Sequence, residues 1–382
     1  MVSNIIFRII LVLLPSQLGL HLWPEYSRIL GLKIDYLSPT IYLTHLLIVF
    51  LLVINNKKIS IEIKKHFSLL KIIFILIFVN IYFSINIPLT SLKWIEFSLY
   101  FLFFLYLKNR KNLLQKNLKY LYISIFLVFG IQLLQLAGQK SLGGLFYWLG
   151  ERGFDASTPN LPKYQFIGRE FVRTPSLFSH ANSLAGFMFL SLLSLRLFNS
   201  NFYSKIITLA SIIVSGSKNV ILFLPLYLIK KTSLKKVLIG SLLITMVLIN
   251  FSQTLNSSLY TISSRLSGIS HSTEVIKNHL IFGTGLGSYL NGLDDNLTGS
   301  QITYENLQPV HNIYLLLLSE FGLVGVTLLG ITFYFSKISP KQSLILSAVL
   351  LTGLFDHYWL TLVQNKMLLT ILLASFPVEY ET

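Results

Sequence analysis

One run of sequence near the C-terminus decides the fold: residues 310–335 read VHNIYLLLLSEFGLVGVTLLGITFYF. The run contains a single acidic residue, Glu320, and no lysine or arginine. A helix needs about 20 predominantly apolar residues to cross the hydrocarbon core of a bilayer. The length and composition of this run therefore predict a transmembrane helix.

The rest of the chain has the same apolar character. Of its 382 residues, 53% are hydrophobic and 12% are charged. A soluble domain carries about 25% charged residues, so this composition excludes an ordinary soluble enzyme. Disorder is excluded because it requires low hydrophobicity. Cysteine is absent, which excludes disulfides, thiolate metal sites, iron–sulfur clusters and a cysteine nucleophile.

Further apolar runs extend across the whole sequence. Together they predict an all-α fold, a polytopic bundle of about twelve transmembrane helices that forms a single membrane domain over residues 1–382. The predicted helical runs are 5–22, 37–54, 69–86, 92–107, 120–137, 176–198, 204–216, 219–229, 236–252, 310–335, 342–356 and 358–376.

The positive charge predicts the orientation of these helices. The net charge of +16 could suggest nucleic acid in a soluble protein, but here lysine and arginine fall in short clusters between apolar runs, and we expect no nucleic-acid partner. With twelve helices, all four clusters lie on one side, which the charge rule assigns to the cytoplasm. The long segments 138–175 and 253–309 then face the other side. The clusters are Lys57–Lys65, Lys108–Lys119, Lys230–Lys236 and Lys337–Lys341.

The strongest candidate for chemistry is His311, which opens the 310–335 run. A histidine at the outer boundary of a membrane can act as a base. Glu320 lies nine positions further on, about 13 Å along a helix and on its opposite face, so direct contact with His311 is not expected. We interpret Glu320 as a buried polar anchor, with Gly322 and Gly325 allowing close backbone approach. The alternative for His311 is an interfacial histidine without a catalytic role.

Two cations also lie in or beside the predicted outer segments. Arg265 can bind phosphate oxygens in a bidentate manner, although an arginine in a solvated loop is the alternative. It is followed by a Gly283–Tyr289 turn, whose G-x-G-x-G pattern is weak evidence for phosphate binding. Lys218, after Ser217, interrupts an apolar stretch, as polar breaks at membrane-protein sites do. Its alternative is a lysine that extends to the interface.

Two further motifs lie at helix ends. Arg173 lies at the end of the first outer segment and His180 at the entry to the helical run that follows it, and Asp356 with His357 precedes the last run. His180 and His311 together could suggest a metal, but neither an H-x-x-x-H pair nor an acidic cluster supports one. We therefore expect no metal site.

In order and spacing, these motifs resemble the O-antigen ligase and polysaccharide polymerase superfamily of bacterial membrane glycosyltransferases. Most of the chain takes part, with a ligase-like region at about 170–335. The resemblance is carried by five stretches: Ile34–Thr44, Arg173–Ala185, Arg265 with the Gly283–Tyr289 turn, His311-Asn312 with Glu320-x-Gly322-x-x-Gly325, and Asp356-His357-Tyr358.

The resemblance implies a GT-C-like helical fold in the bacterial inner membrane, with long periplasmic loops and a periplasmic active face. The donor would be a glycan on undecaprenyl diphosphate, and the acceptor a sugar hydroxyl of a glycolipid or glycan, with no cofactor and no metal. His311 would be the base that activates the acceptor. Arg265 would bind the diphosphate, and Lys218 would stand where ligases usually carry arginine. Further residues implied in substrate binding are Arg173, His180, Asn312, Asp356 and His357.

Two alternatives to an O-antigen ligase stay open. A polymerase that joins lipid-linked repeat units, or a protein O-glycosylating transferase, belongs to the same superfamily. A lipid or glycan transporter belongs to another class and should show paired broken helices with ionisable groups near the midplane. Glu96 and Glu320 are the only acidic candidates in the middle of a helical run, and only one run has a convincing break, so the sequence favours the transferase.

Overall fold

The computed structural model describes residues 1–65, 67–110, 112–158, 161–254, 260–294 and 307–376. The protein is mostly helical, at 69%. The α-helices are Val2–Leu13 (α1), Leu43–Ile54 (α2), Asn56–Lys65 (α3), Phe67–Tyr82 (α4), Ile87–Lys108 (α5), Leu113–Lys116 (α6), Leu118–Gly138 (α7), Leu145–Trp148 (α8), Ala181–Leu197 (α9), Phe202–Ser215 (α10), Lys218–Phe223 (α11), Leu234–Thr254 (α12), Tyr260–Asn278 (α13), Tyr289–Asp294 (α14), Ile313–Phe335 (α15), Pro340–Thr352 (α16), Tyr358–Thr361 (α17) and Val363–Ser375 (α18). Six short strands are Gly19–His21 (β1), Arg28–Ile29 (β2), Leu32–Lys33 (β3), Thr40–Tyr42 (β4), Lys163–Phe166 (β5) and Arg169–Val172 (β6).

Each of the predicted apolar runs contains a helix, and the mostly helical character is confirmed. Within the described ranges, three helices are long and apolar enough to cross a membrane, namely α5, α7 and α15. The bent pair Asn56–Lys65 and Leu70–Tyr82 could form a fourth crossing. Other apolar helices, such as α1 and α2 with 12 residues each, fall short of the roughly 20 residues that a straight crossing needs. The bundle of about twelve crossings therefore stays a prediction.

The first predicted helix extends too far at its C-terminal end, and the second begins too early: α1 ends at Leu13 and α2 begins at Leu43. The helix of run 5–22 ends at Leu13, because Pro15 lacks the backbone N–H that would continue the helical hydrogen bonds. The chain then forms β1, which pairs antiparallel with β4 immediately before α2. Alternation between helix and strand cannot be read from an apolar run alone.

The two predicted outer segments contain more structure than a loop. Segment 253–309 includes the 19-residue helix α13 and the short helix α14, so Arg265 lies on a helix and not in a loop. Segment 138–175 includes α8 and the β5–β6 hairpin. Serine, threonine and charged residues make up about half of α13, and this polar composition is the reason that the sequence favours a loop there.

Helix α9 is the central helix of the main core. Almost every residue from Ala181 to Leu195 is buried, and a helix that is covered on all sides belongs to the interior of a bundle. Gly186 is required for this packing, because a Cβ there would come within 2.4 Å of the Tyr358 ring. The residues at the start of α9 are therefore held rigidly between several helices.

Helix α15 is broken at Gly322, which adopts φ 59° and ψ −173° inside the helix. The break frees backbone groups that the turn after α13 satisfies: the Thr284 N–H donates to the Ser319 carbonyl and the Gly285 N–H to the Glu320 carbonyl, both at 2.9 Å. In the opposite direction, the Leu323 N–H donates to the Leu280 carbonyl at 2.8 Å. This arrangement, called the helix break below, is where the predicted glycine turn and the predicted Glu320 junction meet.

Candidate functional site

The candidate site lies where the starts of α9 and α15 meet the chain that follows α16. The backbone N–H of Ile313 donates to the Gly353 carbonyl at 2.9 Å. Asn312 caps α15, because its side-chain oxygen accepts from the Tyr314 N–H at 2.9 Å. The Asn312 amide nitrogen donates to the Leu354 carbonyl at 3.1 Å. These bonds fix His311, one residue earlier, beside Asp356.

His311 and Asp356 form the centre of the site. The distance from His311 Nδ1 to Asp356 Oδ1 is 3.5 Å. The carboxylate side chain is 9% exposed, whereas the imidazole is 34% exposed. The buried Asp356 can therefore orient His311 while the other side of the ring stays accessible to a substrate.

A chain of hydrogen bonds holds Asp356 on the side opposite His311, through its second carboxylate oxygen. The Asn182 amide donates to Asp356 Oδ2 at 3.0 Å. Asn182 in turn accepts from Arg173 Nη2 at 2.6 Å, and Arg173 Nε donates to the Ser215 carbonyl at 2.9 Å. This sequence of contacts, Arg173–Asn182–Asp356–His311, is called the relay below. It connects the first outer segment, the central helix and the helix that begins after His311.

Electrostatics keep Asp356 ionised. Burial by itself would raise the pKa of the Asp356 carboxyl, but the adjacent His311 imidazole, with His357 and His180 nearby, holds the pKa well below its usual range. Asp356 also accepts from the His357 backbone N–H at 2.9 Å. The site therefore presents a buried carboxylate to an imidazole, the pair that acts in general-base catalysis.

Two further histidines surround this pair and are neutral near pH 7. The His357 ring stacks on His311 with centroids 5.2 Å apart. Burial, and then the charge of His311, lower the pKa of His357 to about 3. His180 is exposed, yet burial by the surrounding protein lowers its pKa to about 4.

Arginines supply positive charge at the same place. Burial and the nearby charge of Arg265 lower the pKa of Arg173, while Asp356 opposes the change. Arg265 on α13 is thus close enough to Arg173 for the two charges to interact. Lys218 is exposed at the start of α11, three residues after the Ser215 carbonyl that binds Arg173. Arg173 belongs to the relay, Arg265 interacts with it, and Lys218 follows the Ser215 turn that Arg173 contacts.

The donor atoms of His311, Asp356 and His357 lie within 4.8 Å of one another and are of the kinds that bind zinc. His357 Nδ1 already contacts Thr361 Oγ1 at 2.9 Å, which leaves its Nε2 for any ion. The sequence expectation of metal-independent chemistry missed this grouping, because His311 and Asp356 are far apart in the chain. That expectation stays a prediction.

The structure brings together most of the residues that the sequence singled out: His311, Asp356, His357, His180, Arg173 and Arg265. Asn312 differs from its expected role in substrate binding. It is 1% exposed, and its amide group bonds within the protein, so it positions His311 and does not face a ligand.

Sequence reasoning missed two residues of the site. Asn182 links Arg173 to Asp356, although it stands inside the Arg173–Ala185 motif. Arg152 forms an ion pair with Asp35 at 2.6 Å, and its charge also acts on His180. The position of Asn182 in the first turn of a predicted helix was the sequence signal that could have marked it as a polar residue of the site. No local pattern marks Arg152.

Comparisons of the chain with protein-family models, with curated proteins and with solved structures find no match.

Proposed function

We propose that this protein is a membrane glycosyltransferase of the O-antigen ligase type. It transfers a glycan from an undecaprenyl-diphosphate donor to a sugar hydroxyl on a glycolipid or glycan acceptor, at the periplasmic face of the inner membrane. The observation that carries the proposal is the accessible His311 imidazole held 3.5 Å from the buried Asp356 carboxylate, beside two arginines.

The residues suit a nucleophilic substitution at the anomeric carbon of the donor sugar, in which a single base activates the acceptor hydroxyl. His311 Nδ1 faces Asp356 Oδ1 at 3.5 Å, and protonation of Nδ1 on this side leaves Nε2 as the base. Nε2 takes the proton of the acceptor hydroxyl, and the hydroxyl oxygen forms a bond to the anomeric carbon of the donor sugar. The bond from that carbon to the diphosphate oxygen breaks, and the electron pair leaves with the diphosphate.

The leaving diphosphate gains negative charge as this bond breaks. Cations at that point stabilise the transition state more than the ground state. Arg265 and Arg173 suit this role because a guanidinium can bind two phosphate oxygens at once. Among the described residues, two of the five Arg173 donors form hydrogen bonds within the protein. Exposed Lys218 supplies a further cation nearby.

Gel analysis of lipopolysaccharide from a deletion strain and its parent tests the proposed function. A ligase predicts loss of the whole polysaccharide ladder with accumulation of lipid-linked polymer. A single-repeat band would instead identify a polymerase, and an unchanged ladder would contradict both. Purified protein should also transfer glycan from an undecaprenyl-diphosphate donor at the same rate with and without a chelator, because no proposed step uses a metal.

A further inference from the structure

A pocket with cationic walls lies where α3 meets the C-terminal end of α5. It is lined by Lys58, Ile59, Tyr106, Asn109 and Arg110 and has a volume of about 50 Å³. A cavity of about 10–15 Å³ already holds a water molecule, so the pocket has room for a larger polar group. Ile59 and Tyr106 are buried in it, whereas Lys58 and Asn109 are exposed. This basic pocket, as it is called below, is therefore open to the surface.

Neutral groups hold Arg110 at the basic pocket. Its Nη2 donates to Asn55 Oδ1 at 2.9 Å, and its Nη1 donates to Asn4 Oδ1 at 3.4 Å. The Asn55 amide nitrogen donates to the Leu51 carbonyl at 2.7 Å, which leaves the amide oxygen for the arginine. Arg110 Cζ also lies 4.6 Å from the centroid of the Tyr106 ring. None of these partners carries a negative charge, so they orient the guanidinium without cancelling its charge.

The sequence around the basic pocket has a large surplus of positive charge. Residues 56–65 and 108–119 contain nine lysines and arginines and a single acidic residue, Glu62. Lys65 Nζ contacts Glu62 Oε1 at 2.6 Å. Within the ranges that the structure describes, neither Lys58 nor Arg110 forms an ion pair of 4.0 Å or less. Both cations therefore keep their charge for a ligand.

The Tyr106 hydroxyl independently indicates a missing partner. The residue is 2% exposed, and among the described residues its hydroxyl makes no hydrogen bond of normal geometry, although Ser3 lies near enough to interact with it. A buried hydroxyl without a partner costs about 1–3 kcal/mol. An oxygen atom of a ligand in the basic pocket would accept a hydrogen bond from it and remove this cost.

The position of the basic pocket indicates the class of ligand. Helix α5 is long and apolar enough to cross a membrane, and it ends at Lys108, so Arg110 follows at the level where a crossing helix leaves the hydrocarbon. Lipid phosphates lie at this depth, and basic pockets between membrane helices bind them. A soluble anion is instead diluted in the solvent. Guanidinium and ammonium groups both bind phosphate oxygens.

We propose that the basic pocket binds the phosphate group of an anionic phospholipid. Arg110 and Lys58 supply the positive charge, and the Tyr106 hydroxyl donates a further hydrogen bond. Because Arg110 is bonded to Asn4 of α1 and to Asn55 at the end of α2, a bound headgroup would connect these helices with α3 and α5. The inference does not depend on glycan transfer, since none of these residues belongs to the relay.

The binding test uses the full chain in detergent, and native mass spectrometry measures the Kd of the first phosphatidylglycerol bound. We expect tighter binding of phosphatidylglycerol than of zwitterionic phosphatidylcholine. Arg110→Gln should weaken the binding about tenfold, because a charge-assisted contact is lost. Lys58→Gln should weaken it about threefold, because solvent screens the exposed lysine. Unchanged affinity in both variants would overturn the proposal. Lys58→Gln keeps the test valid if Arg110→Gln disturbs the fold.

The matched control is Lys119→Gln. Lys119 is an exposed lysine of the same basic segment, and its Nζ lies 5.2 Å from the centroid of the Tyr120 ring, but it does not line the basic pocket. We expect this variant to bind phosphatidylglycerol as the parent does. If all three variants lose affinity equally, the lipid responds to diffuse surface charge and the pocket is not its site.

Two further measurements identify the donor and the source of the phosphate. Without lipid, Tyr106→Phe should keep or raise the Tm, because it removes a buried hydroxyl that has no partner, yet it should weaken phosphatidylglycerol binding about threefold. A lower Tm with unchanged lipid affinity would show that the hydroxyl serves only the packing of the protein. Inorganic phosphate should displace the lipid poorly, and displacement as effective as that by phosphatidylglycerol would overturn the assignment to a lipid.

Discussion

The relay and the helix break each contain a buried carboxylate, Asp356 after α16 and Glu320 within α15, yet their surroundings differ. Asp356 in the relay faces His311, whose ring is 34% exposed. Glu320 at the helix break is 3% exposed, accepts from the Tyr36 hydroxyl, and has a backbone carbonyl bonded to Asn80 and Gly285. The polar groups of the relay end on an accessible imidazole, as the proposed chemistry requires, whereas the polar groups of the helix break satisfy one another.

The largest effect that separates the two regions should come from His311→Ala. We expect transfer to fall by about 10²- to 10⁴-fold, the usual contribution of a general base. The measurement is transfer from purified undecaprenyl-diphosphate glycan, normalised to the amount of folded protein. Glu320→Gln is the matched variant in the helix break and should keep the activity per folded molecule. Normal transfer by His311→Ala would show that the histidine is not the base.

The helix break should respond through folding and not through chemistry. Gly322→Ala places a Cβ within 2.5 Å of the Gly283 nitrogen and requires φ 59°, so we expect a loss of about 3–5 kcal/mol in stability. Gly330→Ala is the control in the same helix, because no atom lies within 4 Å of its added Cβ. Thermal unfolding in a fixed detergent measures both variants. Equal stability of the two would contradict the packing described for the helix break.

Removing the charge of Asp356 while keeping its shape tests the relay directly. Asp356→Asn should lower transfer about 100-fold, because the amide no longer holds the imidazole in the productive tautomer or stabilises its protonated form. Asn182→Ala should cost less, about tenfold, since it removes one hydrogen bond to the carboxylate. The kcat values of the two variants decide the order. If Asn182→Ala costs more than Asp356→Asn, then Asn182 acts in a way that the relay does not describe.

Substitution of Lys218 should lower transfer less than substitution of Asp356, because Lys218 is exposed and solvent screens its charge. We expect Lys218→Ala to lower transfer about tenfold and Lys218→Arg to keep most of it, since a guanidinium can bind phosphate oxygens. Arg265→Lys should be tolerated less well than Lys218→Arg. Full activity of Lys218→Ala would identify a lysine that merely extends to the interface.

The smallest predicted effect is a dependence of stability on pH that is caused by His357, next to Asp356 of the relay. Folding lowers the pKa of His357 from the ordinary 6.5 to about 3. Below pH 6.5 the unfolded chain thus binds a proton that the folded protein does not, and stability falls as the pH decreases toward 3. The Tm should decrease from pH 7 to pH 4.5, and His357→Asn should show a smaller decrease. Equal pH dependence of variant and parent would assign the effect to other groups.

The helix break shows how much local sequence can predict. Gly322, Gly325 and the Gly283–Tyr289 turn are each identifiable from sequence as positions for close backbone approach or a tight turn, because glycine has no Cβ and tolerates positive φ. The contact between the turn and the break was not predictable. It depends on unpaired backbone groups in two segments separated by about 35 residues in the chain.

By itself, the sequence determined the mostly helical class of structure and marked candidate residues for the site. Apolar length and charge spacing required helices suited to a bilayer, because unpaired backbone groups cannot remain in hydrocarbon. Individual motifs likewise marked His311, Arg265 and Arg173. Only the tertiary structure decided that Asp356 faces His311, that Asn182 connects Asp356 with Arg173, and that Arg265 lies on a helix. These outcomes depend on which helix ends meet in space, and hydrophobic periodicity gives the face of each helix but not its neighbour.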